Sequence, residues 1–233
     1  GRERIKLLIS QLFNYAIEND IVNKNYCDYV DLGEKPDKVL NRVPFSFDEI
    51  ELLYKSLHIY RYTDTILMLI FSGLRPSELL LLETKDVFLD ENYFTCGIKT
   101  SSSKNRKVPI SRFVRPFFEK YYNEALNANS KYLLINTEGS NMKYSNYNRD
   151  KFHKIMEQLE MKHMPYDGRH TFATNMSKCE ANKVCTQLIM GHRPKLLIDQ
   201  TYVHKTVKDL QKEIDKLETL FDLNKMLSYI SDE

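Results

Sequence analysis

Arg75 sits between Gly73-Leu74 and Pro76-Ser77-Glu78, where the proline suits the first turn of a helix. A helix N-terminus attracts anions, and a guanidinium placed there offers two parallel N–H donors to phosphate oxygens. Taken alone, a structural Arg75–Glu78 pair is the plainer account of these residues. The second feature is charge. No Asp or Glu occurs from Asn92 to Phe118, while Lys99, Lys104, Arg106, Lys107, Arg112 and Arg115 do. Six uncompensated cations form a footprint for a phosphate backbone, or equally a solvated basic face. Third, Tyr166-Asp167-Gly168-Arg169-His170-Thr171 opens a helix, then come Gly191-His192-Arg193 and Thr201-Tyr202-Val203-His204. An arginine, a histidine and a tyrosine on successive short helices can converge on one phosphate. Singly, Tyr202 reads as a half-buried core tyrosine and His192 as a capping or core histidine.

Helices must do most of the positioning. Ile5, Leu8, Ile9, Leu12, Phe13, Ala16 and Ile17 recur at helical spacing, which predicts an amphipathic helix over 2–20. It begins almost at Gly1 with no cap ahead of it, so the chain is expected to be a fragment. Residues 31–44 read as a linker, and Ser46-x-x-Glu49 is a capping box heading a helix to about His58. An apolar helix over 61–72 ends at Gly73, and a short one runs from Pro76 to Leu82. Segments 87–89, 92–98 and 107–110 are β-branched or aromatic and predict a small antiparallel sheet, with a turn at Ser101–Ser103. Helices are expected at about 112–128, 145–160, 168–179, 182–190 and 196–203, and Leu210, Ile214, Leu217 and Phe221 stripe a final one from 206. The class is mainly α with a small antiparallel β-sheet (α+β).

Composition sets the outer bounds. At 233 residues, 42% apolar and 28% charged, the chain is globular rather than disordered. Its longest apolar run, Ile66 to Phe71, is too short to span a bilayer. Four cysteines without CxxC spacing argue for a reducing cytoplasm and against structural zinc. The net charge of +2 excludes only an extreme polybasic protein, because it averages two unlike parts. The tail from Asp209 to Glu233 has seven acids and three bases, which leaves residues 1–208 at +6.

The blocks GLRPSELL, IKTSSSKNRKVPI, YDGRHTFAT, LIMGH and QTYVH, in that order, resemble the tyrosine recombinase (phage integrase) family over about residues 44–208. The resemblance extends to integrases of phages or conjugative transposons. It implies that 1–30 are the last helices of a truncated core-binding domain, 31–44 a linker, 45–208 the catalytic domain, and 209–233 a tail helix exchanged between protomers. It implies a site-specific DNA recombinase in which Arg75 and Arg169 clamp the phosphate and Tyr202 attacks phosphorus to form a 3′-phosphotyrosine. In the same terms Lys99 protonates the leaving 5′ oxygen, with Lys104 as the alternative, and His192 hydrogen-bonds the phosphate. Glu78 and His170 are supporting residues. Lys104, Arg106 and Lys107 are expected to contact DNA phosphates. Tyr166 departs from the family, which usually has His or Lys there; a phenol can donate a hydrogen bond but cannot carry positive charge. His163 and His170 are the residues that could compensate. No metal or other cofactor is implied. The implied partners are double-stranded DNA, further copies of the chain in a synaptic tetramer, and accessory DNA-bending proteins. Placement would be cytoplasmic and nucleoid-associated when bound. The alternatives are a type IB topoisomerase-like activity and a non-catalytic DNA-binding regulator.

Overall fold

The structure, a computed structural model, describes residues 1–33, 43–97, 105–136, 139–192 and 205–231. The chain divides into two units, Gly1–Asn41 and Arg42–Glu233. In the first, α1 (Arg2–Glu18) is followed by a 3-10 turn at Tyr26–Tyr29. Asn25 ties the two together: its amide donates to Ser10 Oγ at 2.7 Å and Asn14 Oδ1 at 2.9 Å, and its Oδ1 accepts from Cys27 N. The predicted apolar stripe has helical spacing, yet Ile5, Leu8 and Leu12 stay exposed.

The second unit begins where the sequence places its capping box. Glu49 N donates to Ser46 Oγ at 3.2 Å and Ser46 N to Glu49 Oε2 at 2.7 Å, which satisfies the free amides that open α2 (Phe47–Lys55). The apolar run becomes α3 (Thr63–Ser72), buried at every position, so it is apolar all round rather than striped. Gly73 ends it at φ 66°, and α4 (Pro76–Leu80) follows with proline in its first turn.

The sheet is antiparallel in the order β1 (Val87–Phe88), β2 (Tyr93–Cys96), β3 (Arg106–Pro109), with Phe94 opposite Val108 and Cys96 opposite Arg106. After α5 (Arg115–Asn127), the helix expected over 145–160 comes in three pieces: α6 (Tyr144–Tyr147), a π segment Asn148–Phe152, and α7 (His153–Gln158). Helix α8 (Pro165–Lys178) starts three residues before the predicted 168, because Pro165 fits its first turn and Asp167 Oδ2 accepts from Met164 N. Asn182 caps α9 (Lys183–Met190), and Gly191 ends it at φ 68°. The turn at Ser101–Ser103 and the helix expected over 196–203 lie outside the described residues.

The tail holds two helices rather than one: α10 (Val207–Asp215), a 3-10 turn Lys216–Thr219, and α11 (Leu223–Ser231). Within the single chain these helices pack on its own core. Leu210, Ile214, Leu217 and Phe221 are buried in the chain's own core, and the Phe221 ring meets Phe47 at 5.0 Å and Phe71 at 5.4 Å.

Helices α3 and α8 cross at the centre of this core, and two glycines let them. A Cβ on Gly168 would stand 2.9 Å from Leu69 Cβ, and one on Gly73 2.5 Å from the Phe172 ring. Among the described residues no helix is long and apolar enough to cross a membrane, and the four cysteines are free thiols.

Candidate active site

The α3–α8 crossing brings the end of α3, the start of α8 and the end of α9 to one place beside β3. Glu78, in the first turn of α4, is buried there. Its Oε1 accepts from Arg75 Nη1 at 2.8 Å and Arg106 Nη1 at 3.0 Å, and its Oε2 from Arg75 N at 3.0 Å and Arg106 Nη2 at 2.7 Å. Burial pushes this carboxyl up, but the bonds and charge of Arg106 and Arg75 outweigh it and hold it at about 2. The plain Arg75–Glu78 pair is therefore present, and it sits inside a larger cluster.

Arg169, buried in the first turns of α8, spends N–H groups on carbonyls at two turning points. Nη1 donates to Gly73 O and Nη2 to Met190 O, both at 2.6 Å. Burial and the nearby Arg75 charge lower its pKa to about 10, so it remains a cation at neutral pH. Its Nη2 also lies 2.9 Å from His192 Nε2. A guanidinium cannot accept, so that imidazole nitrogen must be the acceptor and the ring neutral, with its proton on Nδ1. Burial and the Arg169, Arg75 and Arg106 charges lower the His192 pKa, in agreement. His192 follows the left-handed Gly191, where a Cβ would press on the Arg106 side chain at 3.0 Å. Cys96, opposite Arg106, is kept protonated because burial pushes its thiol up to about 12.

The structure thus brings Arg75, Glu78, Arg169 and His192 together. Lys99, Lys104 and Tyr202 lie outside the described residues. Tyr166 is half-buried in the first turn of α8, its ring 6.1 Å from that of His170. His163 does not stand in for it: the ring is buried, stacked at 3.8 Å on Phe45, with Nε2 3.1 Å from Glu49 Oε1.

Two expectations are corrected. Arg106, grouped with Lys104 and Lys107 as a phosphate contact, has a side chain only 7% exposed and paired with Glu78 and the Ile189 carbonyl. Strand alternation carried that signal, since Arg106 and its neighbour Lys107 must face opposite sides of β3. Lys107 is exposed, its Nζ 4.9 Å above the Tyr93 ring. Nor is the basic stretch uncompensated. Arg112 pairs with Glu218 at 3.0 Å and Arg115 with Glu119 at 2.8 Å, acids that lie outside the stretch.

The described residues thus gather arginines, a buried glutamate and a neutral histidine beside a three-stranded sheet, a set of donors suited to an anion. The chain belongs to the Phage integrase family, whose sequence profile matches residues 45–209. Tyrosine recombinase XerD of Oceanobacillus iheyensis is 30% identical over 151 residues, 60% of this chain and 48% of that protein. Tyrosine recombinase XerC of Listeria monocytogenes is 26% identical over 219 residues, 87% of this chain and 70% of that protein. The chain spans about half the length of the XerD and XerC relatives it matches at 30% identity. Among solved structures, the Tn1549 transposon integrase in complex with circular intermediate DNA shares the fold at TM-score 0.65 and 22% identity, covering 91% of this chain and 77% of that one. A lambda integrase dimer bound to a core site does so at TM-score 0.63 and 13% identity, covering 87% and 74%.

Proposed function

We propose that this chain is the catalytic part of a DNA recombinase of a mobile element, which cuts and rejoins strands through a covalent 3′-phosphotyrosine. One observation carries the reading: Arg75, Arg169 and His192 come from three separate segments and meet around buried Glu78. A phosphodiester carries one negative charge, and its pentacoordinate transition state gains more on the equatorial oxygens. Fixed donors that meet that charge supply much of the rate. Arg75 and Arg169 bind those oxygens in this proposal, and the His192 Nδ1–H is the neutral donor beside them. Tyr202 gives up its phenolic proton to solvent, its Oη attacks phosphorus, the bond to the 5′ oxygen breaks, and Lys99 delivers the proton that oxygen needs. The energy of the lost bond is kept in the phosphotyrosine, so religation needs no external source. The mobile-element role is supported by the likeness to the Tn1549 integrase. Double-stranded DNA and further copies of the chain are the proposed partners, and the bacterial cytoplasm, at the nucleoid when bound, is the proposed location.

Incubation with a nicked suicide duplex, recovered from a randomised pool by binding, tests the chemistry. Wild type should give a covalent protein–DNA adduct and Tyr202→Phe none. An adduct with both variants, or with neither, would overturn the assignment. Two copies of the duplex on one plasmid then separate the alternatives. Exchange between the copies is expected; relaxation without exchange would favour the topoisomerase-like activity, and binding without an adduct a regulator.

A further inference from the structure

Two helix starts face each other across one imidazole. Glu49 Oε2 accepts from Ser46 N at the start of α2, and Asp167 Oδ2 accepts from Met164 N at the start of α8. His163 lies between these carboxylates, its Nε2 3.1 Å from Glu49 Oε1 and its Nδ1 3.7 Å from Asp167 Oδ2. The ring is buried, and Nδ1 makes no hydrogen bond among the described residues. Phe45 covers its face with ring centres 3.8 Å apart, and Phe45 N donates to Thr171 Oγ1, which donates on to the Asp167 carbonyl. The segment from Phe45 to Glu49 is therefore fastened to the first turns of α8 by a stack, a bond through Thr171 and a bond through His163.

Packing alone does not account for a histidine here. An apolar side chain would fill the same space against Phe45 without burying a nitrogen that lacks a partner, which is costly. What a histidine adds is direction, because a bond to Glu49 fixes the ring edge and, through it, the backbone three residues before Tyr166 and six before Arg169. We propose that His163 is a positioning residue for Arg169: it ties the capping carboxylate of α2 to the residue that precedes the Met164 cap of α8, and so sets the angle at which α8 presents Tyr166 and Arg169. This rests on the reaction proposed above. It assigns His163 no contact with DNA, so the effect should fall on the rate of strand cleavage and not on affinity.

The test uses the full chain and the nicked duplex. His163→Leu keeps the packing and loses the bond; it should slow adduct formation at saturating DNA about tenfold, with the duplex Kd changed less than about twofold. His163→Gln, whose amide can donate to Glu49 Oε1, should recover part of that rate. Unchanged cleavage in His163→Leu, no recovery in His163→Gln, or a loss confined to affinity would each overturn the proposal. Should His163→Leu fail to fold, Glu49→Gln probes the same bond from its exposed side and keeps an acceptor for Ser46 N; a rate equal to wild type would then overturn it. If wild type itself forms no adduct, the reaction is refuted rather than the strut. Hydrogen exchange then decides: His163→Leu should speed exchange of the amides over 165–172, and unchanged protection would refute the positioning role.

Discussion

Glu78 accepts from Arg75 and Arg106 in a place that solvent barely reaches, so its charge and theirs stand or fall together. Glu78→Ala would leave Arg106 buried without a counter-ion, at a cost of about 3–5 kcal/mol in urea unfolding. The depressed carboxyl also fixes a sign. Its contribution to stability is complete above its ordinary value of 4.5 and drains away as pH falls toward about 2. Glu78→Gln should flatten that acid limb of the stability curve; a limb as steep as wild type would show that other groups set it. His192, whose pKa is lowered by burial and then by the arginines, acts in the same direction at higher pH, losing stability as acid forces the ring to charge. Arg106 was legible only as a cation. That it turns inward depends on its β3 register, which pairs it with Cys96 and sets Lys107 on the outer face.

At the scale of elements, the site depends on how closely α3 and α8 approach. Gly73 has to be left-handed, has to clear the Phe172 ring and has to offer its carbonyl to Arg169, three demands on one residue. Gly73→Ala should therefore lower stability by about 2–4 kcal/mol through backbone strain and overpacking, read from the thermal unfolding midpoint. Strand cleavage should fall further than stability predicts, because the Arg169 anchor moves with the backbone. A variant that unfolds and cleaves like wild type would refute this account. The local signals here were readable: Ser46 and Glu49 mark one helix start, Gly73 a stop, Pro76 a start. The break at Asn148–Phe152 was not, because a single-turn π segment within a helical run is too short to leave a trace in the apolar pattern.

For the whole molecule, the tail decides whether the second unit is closed. Phe221 packs on rings of α2, α3 and the segment before α5. Phe221→Ala should cost about 3–5 kcal/mol in a dilute sample, where no second chain can fill the gap. The expected exchange of the tail between protomers is tested separately, by light scattering over a concentration series with and without residues 209–233. Self-association that does not change on removal counts against exchange.

The near-neutral charge is of the same scale. Its +2 combines an acidic tail with a basic body, and the folded chain brings the two into contact through Arg112 and Glu218. The order of the motif blocks, the helix starts and stops, and the mainly helical class with one small sheet are all set by short-range chemistry: caps, prolines, glycines and apolar period. Those signals act within a few residues of where they are written, so the sequence by itself determined them. Tertiary structure alone decided that Glu78 and Arg106 would meet, that Glu218 would neutralise Arg112 of the basic stretch, and that His163 would reach the capping carboxylate of α2. Each of these joins residues 28 or more positions apart, and such contacts follow from which surfaces pack, a property of the whole chain that no local spacing encodes.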